Sequence, residues 1–358
     1  MKILYLNHVC WEWIFQRPQI LALKLEEDFD CTIVNKMFIL GKTVAHDNRE
    51  PKRRKNVWLF PKEQKYKAIN HINNLLYRIY IKRIANKYDL IWACHPSVYD
   101  GVPKKFKGKI VYDCMDNHIA LTSEDNKERL KGLERRLIEE SDLIFVTSNK
   151  LKETVSGLQD AILVRNGFST DMPSMPIKNS AMKDKYIIGY FGTVSSWFNF
   201  DLLKNSIKEC GNVEYHIIGP VSTDQCDVSK LESKDIVFEG IVEHKRLPEA
   251  TKDYDALIMP FVVNDIILSV DPVKLYEYIN LGKCVISVWY PEVDRFEPFV
   301  YFYRTKYEYI ELIKHLSVIG FKPKYTEEQR KDFIEQNSWD ARYSLIREKI
   351  LELTNEKS

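Results

Sequence analysis

The chain has 358 residues, more than one ordinary hydrophobic core holds, so two domains are expected. With 45% hydrophobic and 29% charged residues, it has the composition of a soluble globular protein, and no apolar run approaches the roughly 18 residues of a membrane span. The net charge of +2 conceals an asymmetry, because residues 1–150 carry +8 and the remainder carries −6.

Short apolar runs alternate with helical patterns along the chain, and this series occurs twice. Strand–helix alternation is typical of parallel sheets covered by helices. The expected fold class is therefore α/β, with two Rossmann-like doubly wound domains that face a cleft and with C-terminal helices that close the chain. The predicted strands are 2–7, 31–35, 57–60, 89–93, 109–113, 143–147 and 161–165 in the first half, and 186–191, 213–219, 235–240, 255–260 and 283–288 in the second.

The two series are separated by a segment rich in Pro, Ser and Asn, "STDMPSMPIKNSAMKD". We interpret residues 169–184 as a linker, although a long loop inside one domain is the alternative. The predicted domains are a first Rossmann-like domain over 1–168 and a second over 185–336. Residues 337–358 are expected to form a C-terminal helix that packs on the first domain.

The stretch "DPVKLYEYINLGKCVIS" predicts a short helix, a glycine stop and a buried strand. Asp271 is a favourable N-cap, Pro272 suits the first helical position, and Gly282 ends the helix. Lys274 and Glu277, three residues apart, share a face. A helix start with a lysine favours an anion such as a diphosphate, and the glutamate could accept hydrogen bonds from ribose hydroxyls. The alternative is a surface ion pair of little energetic weight.

This stretch resembles the donor-binding signature of retaining glycosyltransferases with the GT-B fold. It is similar to the family 4, or group 1, type that makes bacterial capsular, teichuronic and other exopolysaccharides. Many of these enzymes have a second glutamate ahead of Glu277, at the position of Ser269 here. Further similar segments follow in the expected order: "FQRPQILALKL" (15–25), "VYDCMDNH" (111–118), "IGYFGTVSSWFNFDLL" (188–203), "YHIIGP" (215–220), "GIVEHKRLP" (240–248), "DALIMPF" (255–261) and "NSWDARYSLI" (337–346).

The resemblance implies a UDP- or GDP-linked sugar as donor substrate and no separate cofactor. It also implies that the N-terminal domain over 1–168 binds the acceptor and that the domain over 185–336 binds the nucleotide sugar. Lys274 would stabilise the departing diphosphate, which makes it a catalytic candidate. The donor-binding residues that the resemblance and the anion-site pattern indicate are Gly192, Thr193, Val242, Glu243, His244, Ser269, Lys274 and Glu277.

The loop "VYDCMDNH" follows a predicted strand of the first domain, at the end of the sheet where ligands bind. Asp113, Asp116 and His118 are its catalytic candidates, because an acceptor hydroxyl needs a group that takes its proton. We expect the loop to line the cleft opposite the helix that carries Lys274. The alternative is an Asx-turn with solvated carboxylates.

The segment "HVCWEWIFQRP" follows the first strand and supplies candidates for acceptor binding. Polar contacts would come from His8, Glu12 and Arg17, and sugar stacking from Trp11 and Trp13. The alternatives are aromatic packing around the first helix and a structural ion pair for Arg17.

No metal site is expected. The two D-x-D motifs, Asp28/Asp30 and Asp253/Asp255, precede predicted strands, whereas a metal-binding D-x-D follows one. We interpret them as turn residues.

The function predicted is transfer of a sugar from a nucleotide sugar to a growing glycan or lipid-linked saccharide in cell-surface polysaccharide biosynthesis. The resemblance implies retention of configuration and no metal requirement. A nucleotide-sugar epimerase and a non-enzymatic glycan-binding protein with a decayed site remain alternatives. A dehydrogenase is disfavoured because the turn after the first strand has no glycine.

Residues 49–87 contain twelve Lys and Arg and only two acids, Glu50 and Glu63. We expect the apolar residues of helical spacing in this segment to be core and the charges to lie on an exposed edge. These charges could dock a cytoplasmic enzyme on an anionic membrane surface, at the inner face of the membrane. A merely solvated basic face is the alternative, and nucleic acid is not expected because no recognition module is present. The apolar positions are Ile69, Ile72, Leu75, Leu76, Ile79 and Ile84.

Seven cysteines without a C-x-x-C pair predict reduced thiols, which agrees with a cytoplasmic location.

Overall fold

The computed structural model divides the chain into two compact units, Met1–Arg165 with Tyr343–Ser358, and Asn166–Arg342. The structure describes residues 1–12, 15–39, 49–62, 65–168, 172–177, 182–222 and 233–355. Trp13 lies outside the described residues, so nothing follows for its predicted role.

The first unit contains a parallel sheet of seven described strands in the order β3-β2-β1-β4-β5-β6-β7. Its central strands are apolar along their whole length because helices cover both faces. The strands are β1 Lys2–Leu6, β2 Asp30–Phe38, β3 Arg54–Leu59, β4 Leu90–Ala93, β5 Lys109–Cys114, β6 Leu143–Val146 and β7 Ile162–Leu163.

Helices follow most of these strands. They are α1 Arg17–Asp28, α2 Lys67–Ile84, α3 Pro96–Tyr99, α4 His118–Leu121, α5 Glu124–Glu140 and α6 Asn149–Ser156, and a 3-10 turn, Ala85–Lys87, extends α2.

The orientation of α2 differs in part from the orientation predicted from the sequence. Tyr77, Ile81 and Ile84 pack into the core of the first unit. Of the six residues predicted to be core, Ile84 is confirmed and Ile69 is half-buried, whereas Ile72, Leu75, Leu76 and Ile79 are 40–47% exposed on the opposite side. The prediction was wrong at these four positions because α2 has two apolar faces, and the sheet packs against the one that carries the tyrosine.

The second unit contains a parallel sheet of six described strands in the order β10-β9-β8-β11-β12-β13. Both sheets therefore have the doubly wound topology, and the predicted α/β fold class is confirmed. The strands are β8 Tyr186–Phe191, β9 Val213–Ile218, β10 Ile236–Gly240, β11 Ala256–Met259, β12 Cys284–Val288 and β13 Val300–Tyr303.

Of these strands, β13 was not predicted, because its run "VYFY" continues an aromatic stretch without a period of its own. The helices of this part of the chain are α7 Phe200–Cys210, α8 Leu247–Ala250, α9 Asp265–Leu268, α10 Val273–Asn280, α11 Lys306–Val318, α12 Glu327–Gln336 and α13 Trp339–Asn355, with 3-10 turns at His244–Arg246 and Pro291–Phe296.

The last helix, α13, begins in the second unit, and from Tyr343 onward its residues belong to the first. The Tyr343 hydroxyl donates to Asp28 at 2.8 Å, and Arg347 pairs with the same carboxylate at 3.0 Å. Asp28, the first residue of one D-x-D motif, thereby anchors the C-terminal helix.

The order of strands places the switch point of the first sheet between β1 and β4, and that of the second between β8 and β11. At these points the chain order reverses and the connections diverge to opposite faces, which opens a crevice at the carboxyl ends of the strands. The residues that follow these four strands and their neighbours are therefore the ones to examine for function.

Candidate functional site

Glycines mark the ends of three adjacent strands in the second unit. Gly192, Gly219 and Gly240 follow or end β8, β9 and β10, and all have positive φ, at 132°, 133° and 79°. The Gly219 amide donates to the Gly240 carbonyl at 2.7 Å, and a Cβ on Gly219 would lie 2.2 Å from the Gly192 carbonyl oxygen. Backbone without side chains therefore lies at the carboxyl edge of this sheet. Sequence reasoning singled out only the first of these glycines, although each closes an apolar run.

Lys274, in the first turn of α10, lies against the first of these glycines. A Cβ added at Gly192 would come within 2.3 Å of Cε and 2.9 Å of Nζ of this lysine. The ammonium also lies 5.8 Å from the ring centroids of both Tyr190 and Phe261. Within the described ranges no carboxylate forms an ion pair with it. The structure therefore brings together two predicted donor-site residues that are 82 positions apart in the sequence.

The environment of Lys274 favours an anionic ligand. Burial lowers the pKa of its ammonium, and the nearby Glu277 carboxylate acts in the opposite direction. A cation that loses solvation in this way gains most from a negative charge brought to it. The first-turn amides of α10 add the positive end of a helix dipole at the same place.

The start of α10 differs from the prediction. The helix begins at Val273 with Pro272 as its N-cap, so Asp271 does not cap it. The Asp271 carboxylate is buried and accepts from the Asn166 amide at 2.6 Å and from Arg295. It anchors the segment before the helix. The predicted end is correct, because Gly282 adopts φ 65° directly after the last turn.

Glu277 lies one turn further along α10 and pairs with His244. Their Oε1 and Nε2 atoms are 2.7 Å apart, and the glutamate side chain is 13% exposed. The predicted ion pair with Lys274 is thus replaced by a histidine contact. Val242 packs partly against the core, and Glu243 is paired with Lys245 at 3.2 Å on the outside. The loop after β10 therefore contacts α10 through His244.

Two further predicted donor residues make internal hydrogen bonds. Ser269 is buried, and its hydroxyl donates to the Asp265 carbonyl at 3.1 Å, which closes α9. The carbonyl of Thr193 accepts from the Tyr190 hydroxyl at 2.8 Å. The second contact holds the Gly192–Thr193 turn in place.

In the first unit, Arg17 and Asp113 form a buried ion pair. The guanidinium Nη2 donates to Oδ1 at 2.7 Å, and Nε donates to both carboxylate oxygens at 3.0–3.1 Å. Arg17 also donates to the Val164 carbonyl at 3.0 Å. Both side chains are almost completely buried, at 4% and 0% exposure. This geometry corrects the catalytic role predicted for Asp113 and the acceptor role predicted for Arg17, since both groups are used to join α1 to β5.

Asp116, three residues after Asp113, is in a different electrostatic state. Burial raises the pKa of its carboxyl to about 7, with Asp113 acting in the same direction and Arg17 opposing. A carboxylate with a pKa near neutrality is suited to accept a proton from a substrate hydroxyl. Of the two predicted aspartates, the structure therefore favours Asp116 as a general base.

Three histidines meet at the carboxyl ends of β1, β4 and β5. The ring centroids of His95 and His118 are 4.2 Å apart, and His8 stacks on His95 at 5.0 Å. Burial lowers the pKa of all three imidazoles, that of His118 to about 4. The buried His8 Nδ1 and His118 Nε2 atoms have no hydrogen-bond partner within the described part of the protein. This neutral cluster offers ring nitrogens to a polar ligand such as a sugar.

His95 was not predicted. The signal was present, because it follows the apolar strand β4 by two residues, as His8 follows β1. The two strands are neighbours in the sheet, which only the topology reveals.

The remaining described acceptor candidates, Trp11 and Glu12, make contacts within the protein. Trp11 is 4% exposed, and its indole donates to the Arg49 carbonyl at 2.9 Å. A side chain this buried offers no ring face for the predicted stacking on a sugar, so that prediction is wrong. Glu12 accepts from Arg54 at 2.8 Å and from the Cys10 thiol at 3.0 Å.

Metal-binding groups are not assembled in the part of the chain that the structure describes, where no cluster of three or more His, Cys, Asp or Glu side chains fits an ion. In the second D-x-D motif, Asp255 pairs with Lys183 at 2.5 Å and accepts from the Ile187 amide at 2.9 Å. Its role there is structural. No described helix is long and apolar enough to cross a membrane.

Comparison with known proteins adds to this geometry. No protein-family model matches the chain. It is 24% identical over 261 residues to the "Putative teichuronic acid biosynthesis glycosyltransferase TuaH" of Bacillus subtilis strain 168. The match covers 66% of this chain and 66% of that protein, just under two thirds of its length.

Solved structures of glycosyltransferases have the same fold. Sucrose-phosphate synthase from Thermosynechococcus elongatus superposes with a TM-score of 0.75 at 12% identity, over 99% of both chains. HepE from Anabaena, solved with UDP and glucose, gives 0.71 at 14% identity over 98% of this chain and 99% of that one. The lipopolysaccharide outer core galactosyltransferase WaaB gives 0.65 at 14% identity with the same coverage. The two doubly wound units and these likenesses identify the chain as a protein of the GT-B glycosyltransferase fold.

Proposed function

We propose that this protein is a glycosyltransferase that moves a sugar from a nucleoside diphosphate sugar to a glycan or lipid-linked saccharide of the cell envelope. The observation that carries the proposal is the placement of the Lys274 ammonium against Gly192 at the carboxyl edge of the second sheet. The sequence likeness to a teichuronic acid biosynthesis protein supports the class of acceptor. The fold shared with a UDP-bound glycosyltransferase supports the class of donor.

The donor is assigned to the second unit. Its diphosphate would lie over Gly192, between Lys274 and the first-turn amides of α10. Glu277, held by His244, would accept hydrogen bonds from the two ribose hydroxyls. The base would then lie beside Val242, with uracil and guanine as the candidates. No separate cofactor is proposed.

Transfer breaks the bond between the anomeric carbon and the diphosphate oxygen and forms a bond to the acceptor oxygen. Negative charge grows on the diphosphate as its bond breaks, so Lys274 stabilises the transition state more than the ground state. The acceptor hydroxyl loses its proton, for which Asp116 is the assigned base. Retention of configuration is part of the proposal and can be read from the anomeric signal of the product.

The test is release of nucleoside diphosphate from a panel of UDP- and GDP-sugars, with and without saccharide acceptors. The proposal predicts slow hydrolysis of one donor to free sugar and nucleoside diphosphate, faster turnover with an acceptor, and activity in the presence of EDTA. An epimerised nucleotide sugar with no net hydrolysis would support an epimerase instead. Binding of glycan without turnover of any donor would support a non-enzymatic role.

A further inference from the structure

Helix α2 is basic, and it has two apolar sides. Its 18 residues include Lys67, Arg78, Lys82 and Arg83 and no acid. It also carries apolar residues on two opposite sides. Such a helix presents apolar residues to the solvent as well as to the protein, and its charged residues are all basic.

The inner side of α2 fixes how the helix sits in the first unit. Tyr77, Ile81 and Ile84 belong to the core beneath it. The buried Asn73 side chain accepts from the Phe60 amide and donates to the Phe60 carbonyl, both at 2.8 Å. These contacts tie the helix to the end of β3. The opposite side consequently faces away from the core.

That opposite side forms a stripe of four aliphatic residues, which we call the outer stripe: Ile72, Leu75, Leu76 and Ile79. They are 46%, 47%, 40% and 43% exposed. Leu75 lies three residues after Ile72 and Ile79 three after Leu76, while Leu76 and Ile79 lie four residues after Ile72 and Leu75, so the four side chains form one face. Single exposed aliphatic residues are ordinary, but a contiguous row on one helix indicates a surface that is covered in use.

Positive charge lies at the C-terminal end of the outer stripe. Lys82 and Arg83 are exposed, and Arg83, four residues after Ile79, continues the line of the stripe. Neither makes an ion pair among the described residues. Two acids that contact α2 elsewhere are already matched, since Asp125 pairs with Lys67 at 2.9 Å and Asp100 lies between Arg78 and Arg129.

Two of the basic residues ahead of α2 are matched by carboxylates. Arg53 pairs with Asp30, and Arg54 pairs with Glu12 at 2.8 Å and with Glu50 at 3.3 Å. Lys82 and Arg83, by contrast, lie next to the exposed aliphatic row of α2 and form no ion pair in the part of the chain that the structure describes.

We propose that the outer stripe inserts into the interface of an anionic lipid bilayer, with Lys82 and Arg83 at the level of the lipid headgroups. Aliphatic side chains in a row flanked by unpaired basic residues have the chemistry that an anionic bilayer interface binds. A second copy of the chain fits less well, because a two-fold pairing of α2 would bring like charges together. This surface is independent of sugar transfer and can be tested without any donor.

The experiment is cosedimentation of the full-length protein with vesicles of phosphatidylcholine alone or mixed with phosphatidylglycerol, at low and high salt. The wild-type protein is expected to bind the anionic vesicles, and more weakly at high salt. Leu75→Gln combined with Ile79→Gln should lower the partition coefficient by about tenfold or more. Lys82→Gln combined with Arg83→Gln should lower binding to anionic vesicles by about tenfold and remove most of the salt dependence.

The matched control is Leu158→Gln, a leucine of the same unit that is also 47% exposed but lies outside α2. It should bind as the wild type does. Because all five substituted positions are on the surface, far-ultraviolet circular dichroism and melting temperature should be unchanged in each variant. The proposal is overturned if the wild type does not bind anionic vesicles at low salt, or if the outer-stripe variant binds normally. It is also overturned if light scattering shows a dimer that the outer-stripe variant dissociates while vesicle binding persists.

Discussion

At the scale of single residues, Lys274 and Glu277 are assigned different tasks, and kinetics can separate them. Lys274→Ala is expected to lower kcat by about a hundredfold, because the charge it contacts grows only as the donor bond breaks. Glu277→Ala is expected mainly to raise KM for the donor, by about tenfold, since ribose contacts are alike in ground and transition states. Steady-state kinetics with the active donor gives both values.

Lys314→Ala is the control for these two variants, because Lys314 is an exposed lysine paired with Glu311 on α11. It should leave kcat and KM at their wild-type values. If Lys274→Ala retained wild-type kcat, the diphosphate would have to bind elsewhere.

Asp116 makes a prediction about pH. Its carboxyl pKa is raised to about 7, chiefly by burial, so folding favours the protonated form. The folded state then holds a proton that the unfolded state has lost, and Asp116 lowers stability progressively as pH rises from about 4 to about 7. Asp116→Asn should therefore stabilise the protein relative to wild type more at pH 8 than at pH 4. Urea unfolding at the two pH values measures this difference.

The same residue should control activity. In the wild type, kcat is expected to rise with pH up to about 7, as the carboxylate form becomes populated. In Asp116→Asn, kcat should be about a hundredfold or more below the wild-type value. An unchanged pH–rate profile in the variant would remove Asp116 from the mechanism, even if the stability prediction held.

Single residues also show what the sequence does not reveal. His95 was missed because its position two residues after β4 gains meaning only beside His8, which is 87 positions away in the sequence. Asp113 and Asp116 look equivalent in "YDCMDNH", and only the position of Arg17 distinguishes a structural carboxylate from one with a raised pKa. Roles that depend on a partner distant in sequence need the fold.

At the scale of elements, the turn after β8 makes the next prediction. Gly192→Ala combines strain at φ 132° with a clash against Lys274, whereas Gly211→Ala at φ 72° meets open space. The second change should cost about 1–2 kcal/mol of unfolding free energy. The first should cost more and also weaken binding of nucleoside diphosphate, because Lys274 must move.

Urea unfolding and calorimetric titration of both glycine variants provide the comparison. Equal stabilities and equal affinities in the two variants would show that the contact between Gly192 and Lys274 has no consequence.

The strands and the end of α10 show why some predictions from the sequence were correct. The strands were predicted because apolar runs of fixed length are what a doubly covered parallel sheet requires. The end of α10 was predicted because only glycine adopts the conformation at position 282 without strain. The buried face of α2 was not, since periodicity gives the spacing of apolar residues but not which of two apolar faces meets the sheet.

At the scale of the whole molecule, strand–helix alternation with a break near residue 169 was enough to predict two doubly wound units. The residues proposed to bind the donor could be indicated from the sequence, since they lie in local motifs after strands and at a helix start. The acceptor candidates were harder to choose, because the fold divides them between a buried ion pair, a buried aromatic ring and a histidine cluster that the sheet assembles from β1, β4 and β5.

The central claim is that a nucleoside diphosphate binds the second unit beside Lys274, and isothermal titration of UDP and GDP into the full-length protein tests it most directly. One of the two nucleotides should bind the wild type and Lys314→Ala equally, and its affinity should fall by about tenfold or more in Lys274→Ala and in Glu277→Ala. Failure of both nucleotides to bind, or equal binding by all four proteins, would contradict the account.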